Sequence, residues 1–147
     1  MQGTHHTQNC DTFSMKHLSL ILILGFSTLS TQTIACRCRT LTVQEDFENS
    51  HYIMEVTIVK LLKEKRNGHR IYLAEVNRQY KGSVLSNKIK IEVGTSTCDF
   101  YFRARKSYLF YGFEDKNNFY TTSQCHRTRE MDVASEDIKI LNELIRN

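Results

Sequence analysis

Apolar side chains fall at Tyr52, Met54, Val56 and Ile58, with partly polar residues between them. That period of two predicts a half-buried strand. Asn67-Gly68 is a strong two-residue hairpin signal. It leads into a second strand from Arg70 to Tyr80, with Tyr72, Ala74 and Val76 on one face. Ile89, Ile91 and Val93 alternate with Lys88, Lys90 and Glu92, the cleanest amphipathic strand in the chain. Ser107 to Phe113 is apolar and aromatic on both faces, as a central strand would be. Glu114 to Asn118 reads as a turn, and Phe119 to Gln124 as the returning strand. Before these strands, Thr42-Val43-Gln44-Glu45 has capping-box spacing and predicts a short helix over about 42–49. After them, Ile138, Leu141, Leu144 and Ile145 recur at helical spacing, with Asp132 or Ser135 as N-cap, and predict a helix packed on the strands. Five short strands with close turn signals predict a mainly β fold. The architecture expected is a five-stranded antiparallel barrel of the oligonucleotide/oligosaccharide-binding (OB) type, with a short N-terminal helix and a C-terminal helix.

The first 35 residues do not read as part of that fold. Met15-Lys16-His17 is a short basic start, and Leu18 to Phe26 is an apolar run. The run is far short of the roughly 20 residues that span a bilayer. It relaxes into small and polar residues ending at Thr33-Ile34-Ala35. This is the pattern of a secretory signal peptide starting at Met15 and cleaved after Ala35. A secreted or extracellular protein is expected, periplasmic if the source is bacterial, with one domain over residues 36–147.

Composition narrows the rest. The chain has 147 residues, 40% hydrophobic and 24% charged, without Pro or Trp. These fractions are ordinary for a globular protein and exclude wholesale disorder. Twenty Lys and Arg against 16 Asp and Glu give a formal charge of +4. Loss of the leader removes one cation, Lys16, and one anion, Asp11. No clustered excess of the kind that binds nucleic acid results. Loss of Cys10 with the leader turns five cysteines into four: Cys36, Cys38, Cys98 and Cys125. In an oxidising compartment four thiols make two disulfides. A Cys36–Cys38 pair would close a strained ring, which leaves two pairings. Each ties the start of the mature chain to distant strands. A bacterial lipoprotein site would instead acylate Cys36 and bring it to a membrane. Such sites usually carry Leu three residues before the cysteine, where Thr33 stands.

Other chemistry is thin. Cys36, Cys38, Cys98, Cys125 and His126 would suit a metal only in a reducing compartment, so no metal of its own and no cofactor is expected. His51, His69 and His126 come with no nucleophile motif and read as surface or turn residues, so no enzyme is expected. Arg103, Arg105 and Lys106, with Arg127 and Arg129, would serve acidic glycans if clustered. Otherwise they form a solvated charged face.

Cys36-Arg37-Cys38 at a cleaved N-terminus resembles the tissue inhibitors of metalloproteinases and the wider netrin-like domain group. The likeness continues through Phe47 to Ile53, at Ser96-Thr97-Cys98, at Lys106 to Gly112, and at Cys125. It covers nearly all of residues 36–147. The resemblance implies a five-stranded barrel with flanking helices and the pairs Cys36–Cys98 and Cys38–Cys125. It implies a zinc metalloprotease as partner and inhibition as the activity. The alternative within the same group is a non-inhibitory netrin-like module that binds a protein or an acidic glycan.

The implied chemistry follows from elementary coordination. A catalytic zinc keeps one position open for water. The α-amino nitrogen and carbonyl oxygen of an N-terminal Cys36 would chelate that zinc and displace the nucleophilic water. Disulfides at Cys36 and Cys38 would order the terminus beforehand and cut the entropic cost of binding. A free α-amino group has a pKa near 8, so affinity should fall as protons compete with zinc. Arg37 would enter the protease pocket beside the metal. Arg39 and Thr40 would continue along the cleft, with Ser96 and Thr97 on its other side. Three departures qualify the likeness. Family members usually carry a small or β-branched residue where Arg37 stands, and an unpaired guanidinium is costly in an apolar pocket. Arg37 therefore points to a target with an acidic or water-filled pocket, or to no target at all. The family's usual Pro after the second cysteine is replaced by Arg39-Thr40. Glu48 stands where a cysteine of the family's third disulfide is expected, and a Cys-rich second domain has no counterpart.

Overall fold

The computed structural model describes residues 36–65 and 67–146. The expected leader and its cleavage point lie outside them. The chain enters through an extended segment, 36–42, and turns into helix α1, Val43–Asn49. Its start is the expected capping box. Thr42 Oγ1 accepts from the Glu45 N–H at 3.1 Å, and Glu45 Oε2 accepts from the Thr42 N–H at 2.8 Å. Two otherwise orphaned donors are thereby satisfied.

Strands β1, Tyr52–Lys65, and β2, His69–Lys81, form a long hairpin. The turn holds Gly68 at φ +76°, which a side chain would strain. The first half of β1 pairs with β2 on one side and with β4, Ser107–Glu114, on the other. Strand β3, Lys88–Gly94, lies beyond β2. Strand β5, Tyr120–Thr121, joins β3 in parallel at Ile91 and β4 antiparallel at Phe113 and Glu114. Sheet order β1-β2-β3-β5-β4, with β4 returning to β1, makes a partly closed ring of five strands. A sixth strand, β6, Arg129–Glu130, pairs with Tyr108 and Leu109 of β4. A short 3-10 turn, Met131–Val133, leads into helix α2, Ser135–Leu144.

Two apolar clusters hold the ring and its helices. Met54, Val56, Ile58, Ile91, Tyr108 and Phe110 fill the inside of the ring, with Phe102 edge-on to Tyr108 at 5.0 Å. Ile53, Leu109 and Tyr111 face the other way and meet Val43 of α1 and Leu141 of α2. Alternate residues of β4 thus serve two cores, which explains why its sequence is apolar on both faces. Ile138 and Leu141 pack on the strands as their spacing predicts, but Ile145 is 44% exposed and Ile140 joins the contact.

The structure departs from the sequence-based expectation first at the hairpin, whose loop between Lys65 and His69 is three residues long rather than two. The sheet has six strands rather than five, because β6 is too short to leave a periodic signal. The returning strand ends at Thr121 instead of Gln124: beyond it the chain turns at Ser123 to carry Cys125 toward Cys38. The ring is not wholly antiparallel as expected, because β5 meets β3 in parallel at Ile91. Ala134, not Asp132 or Ser135, occupies the cap position of α2: Asp132 lies in the 3-10 turn and Ser135 is the first helical residue.

Candidate functional site

Three chain segments meet at one edge of the ring: the entry strand 36–41, the bend 96–99 after β3, and the turn 123–127 after β5. Two covalent links join them. Cys36 is bonded to Cys98 and Cys38 to Cys125, across 62 and 87 positions, the pairing that the resemblance implies. With the sulfurs used in this way, the cysteines have no thiolate to offer a metal. Among the described residues no cluster of His, Cys, Asp and Glu is arranged to hold one.

The bend is braced from within. The Ser96 N–H and hydroxyl both donate to Asp99 Oδ2, at 2.8 and 2.6 Å, and the Asp99 N–H donates to the Ser96 carbonyl at 3.1 Å. The Gln124 N–H donates to the Cys98 carbonyl at 3.2 Å, tying the bend to the turn. Thr97 Oγ1 lies 3.8 Å from Cys36 Sγ. Ser96 and Thr97 therefore stand beside Cys36 as expected. Cys36 is half-buried, whereas Arg37, Cys38, Arg39, Thr40, Ser96 and Thr97 are exposed. Together they make a continuous polar ridge.

Beneath the ridge lies a buried charge network. Asp46 on α1 is fully buried. It accepts from the Arg127 N–H at 2.6 Å, from His126 Nδ1 at 2.8 Å and from the Ser50 hydroxyl at 3.3 Å. Burial pushes its carboxyl pKa up, but these donors outweigh burial and hold it below the ordinary aspartate value. The Arg127 guanidinium makes a two-pronged pair with Asp137 of α2, at 2.8 and 2.6 Å, and also donates to the Leu41 carbonyl at 2.7 Å. One side chain thus fixes both the C-terminal helix and the root of the entry strand. Arg39 pairs with Glu45 at 3.0 Å, folding back on the capping box. The Glu45 carboxyl is held low by its hydrogen bonds from Thr42, ahead of the Arg39 charge.

Asp46, His126, Arg127 and Asp137 are absent from the sequence-based site. The signal for Asp46 was its position on the same helical face as Val43, three residues on. Nothing local marked Arg127 or Asp137. His126, expected at the surface, packs edge-on against Phe113 at 5.0 Å and is largely covered. Most of the basic group is paired with acids, Arg129 with Asp137 at 3.6 Å among them. Lys106 and Arg103 lie 3.3 and 3.8 Å from Glu130, and Arg127 is spent on Asp137.

No protein-family model matches this chain, and no curated protein shows a significant match to it. No helix among the described residues is long and apolar enough to cross a membrane. The two disulfides fit an oxidising compartment.

Proposed function

We propose that the exported protein, cut after Ala35, is an inhibitor of zinc metalloproteases. The Cys36 α-amino nitrogen and carbonyl oxygen chelate the target's catalytic zinc and displace its water. Arg37 enters the neighbouring pocket, Arg39 and Thr40 follow the cleft, and Ser96 and Thr97 line its other side. The ring order, with its parallel β3–β5 contact, supports reading the fold as an OB-like barrel of the netrin type.

One observation carries the reading: the entry strand is fixed at three successive points. Cys36 and Cys38 are bonded to Cys98 and Cys125, and the Leu41 carbonyl accepts from Arg127. An ordinary chain end is mobile and would lose that freedom on binding. This one is already ordered, so more of its contact energy is retained as affinity. Arg37 has no acidic partner within 4.0 Å among the described residues and is exposed, which suits a target pocket that supplies an acid or water. The alternative, a module binding an acidic glycan through its basic group, is less well supported because Arg103, Lys106, Arg127 and Arg129 of that group are paired with acids.

N-terminal sequencing and intact mass of the exported protein test the premise. The reading requires a free amino group on Cys36 and two disulfides. Acylation, or a start at any other residue, overturns it.

A further inference from the structure

A cleft among the described residues lies away from the ridge and shares no residue with it. It holds about 680 Å³, within the range of about 300–1,000 Å³ typical of small-ligand sites. It opens where the ring is weakest, beside the single β3–β5 pairing of Ile91 with Tyr120. One wall is the loop 82–87 and the other is the turn 115–119.

Both walls are fixed. Gly82, at φ +77°, brings the loop so close to Tyr52 that a Cβ there would sit 2.8 Å from the His51 carbonyl. The Val84 N–H donates to Gln79 Oε1 at 3.1 Å, and the Lys88 N–H to the Ser86 hydroxyl at 3.1 Å. Across the cleft, Asp115 Oδ1 accepts from the Asn117 and Phe119 N–H groups at 2.8 and 2.9 Å. The floor is aromatic, with Tyr52 edge-on to Tyr120 at 4.9 Å.

The lining is split by chemistry. Val84 and Leu85 offer apolar surface, and Leu85 is fully exposed with nothing packed on it, whereas Ile89 belongs to the buried core. Lys88 and Lys90 stand two positions apart on one face of β3, about 7 Å from each other. Neither ammonium has a carboxylate within 4.0 Å among the described residues, although Glu75 is the cross-strand neighbour of Lys88. Lys90 Nζ lies 5.9 Å from the Phe119 ring centre, at the edge of the cleft. The one acid of the lining, Glu114, is engaged by the Tyr52 hydroxyl at 2.8 Å. A preformed cleft with an unpaired cationic rim and an uncovered apolar wall fits a ligand of opposite charge with an apolar body.

We infer that this cleft binds an amphipathic organic anion, with its carboxylate, sulfate or phosphate head on Lys88 and Lys90 and its alkyl part on Val84 and Leu85. The inference stands apart from the inhibitor reading and survives its failure.

The test uses the exported, disulfide-bonded protein and dodecyl phosphate kept below its micelle-forming concentration. Titration followed by amide NMR should saturate, with shifts concentrated in residues 84–90 and 117–120. Inorganic phosphate supplies the head alone and dodecyl maltoside a neutral head on the same chain; both should bind much more weakly. Lys88→Gln with Lys90→Gln should weaken dodecyl phosphate binding about tenfold or more while leaving the thermal midpoint unchanged. Leu85→Ser, at an exposed position with no packing to lose, should weaken it too. Vesicles of phosphatidylcholine with and without phosphatidic acid separate the sources. Binding to the acidic vesicles alone, with none to the monomeric amphiphile, assigns the head group to a membrane and keeps the chemistry. Equal binding of inorganic phosphate or dodecyl maltoside, indifference to the lysine variants, or no binding to any probe overturns the inference.

Discussion

The guanidinium of Arg127 donates to the carbonyl oxygen of Leu41 at 2.7 Å while its other nitrogens grip Asp137. The contact spans 86 positions of sequence and couples the root of the N-terminal ridge to the C-terminal helix. Asp137 is almost wholly buried and takes this two-pronged pair as its closest contact, with Arg129 farther off at 3.6 Å. Breaking a buried pair by removing one member typically costs about 3–5 kcal/mol. Arg127→Ala should therefore lower the unfolding free energy by about that much, as measured by denaturant titration. The double variant Arg127→Met with Asp137→Leu, which leaves no orphaned charge, should recover most of the loss. A double variant no more stable than the single one would show that the charge pair is not what fixes the helix.

Asp46 sets the acid limit of the same region. Its folded pKa is lowered, so it contributes stability that is present above the unfolded value of about 3.9. That contribution is lost as pH falls through the still lower folded value. The wild type should therefore lose stability below about pH 4. Asp46→Asn should be less stable at neutral pH and should show a shallower acid limb, because it has no carboxylate to protonate. Unfolding curves collected from about pH 6 to about pH 2 check both. Parallel curves for the two proteins would remove Asp46 from the account.

Much of the framework was legible because it depends on neighbours in sequence. Thr42 and Glu45 are three residues apart and cap a helix by themselves. Asn67-Gly68 marks the turn, though the loop between Lys65 and His69 is three residues long instead of two. The alternation of Ile89, Ile91 and Val93 records one buried face. The parts that were not legible depend on partners far along the chain. Strand β6 is two residues held in place by Tyr108 and Leu109. The returning strand stops early because Cys125 is needed at Cys38. Arg127 reads as one of several surface cations until α1 and α2 are packed around it. His126 changes from a surface residue to a largely covered partner of Asp46 for the same reason. The two cysteine pairings compatible with ring strain could not be told apart from the residues; the implied pairing entered through resemblance, and the structure has that pairing.

The proposed chelation of zinc by an amine would give inhibition its own pH dependence. The α-amino group is protonated below a pKa of about 8, and the protonated form has no lone pair for the metal. Affinity for a target protease should fall as pH drops below that value, approaching tenfold per pH unit when one proton is displaced. Inhibition constants measured across this range, corrected for the protease's own profile, check the slope. A flat profile would argue against an amine donor.

The most direct measurement compares two forms of the disulfide-bonded protein against a panel of zinc metalloproteases, one beginning at Cys36 and one with a single Ala placed before it. The added residue moves the amino group off the chelating position and leaves the disulfides and the ridge in place. The account predicts inhibition of at least one protease by the first form, and a loss of potency by orders of magnitude in the second. Equal potency of the two forms, or no inhibition by the form that begins at Cys36, would contradict it.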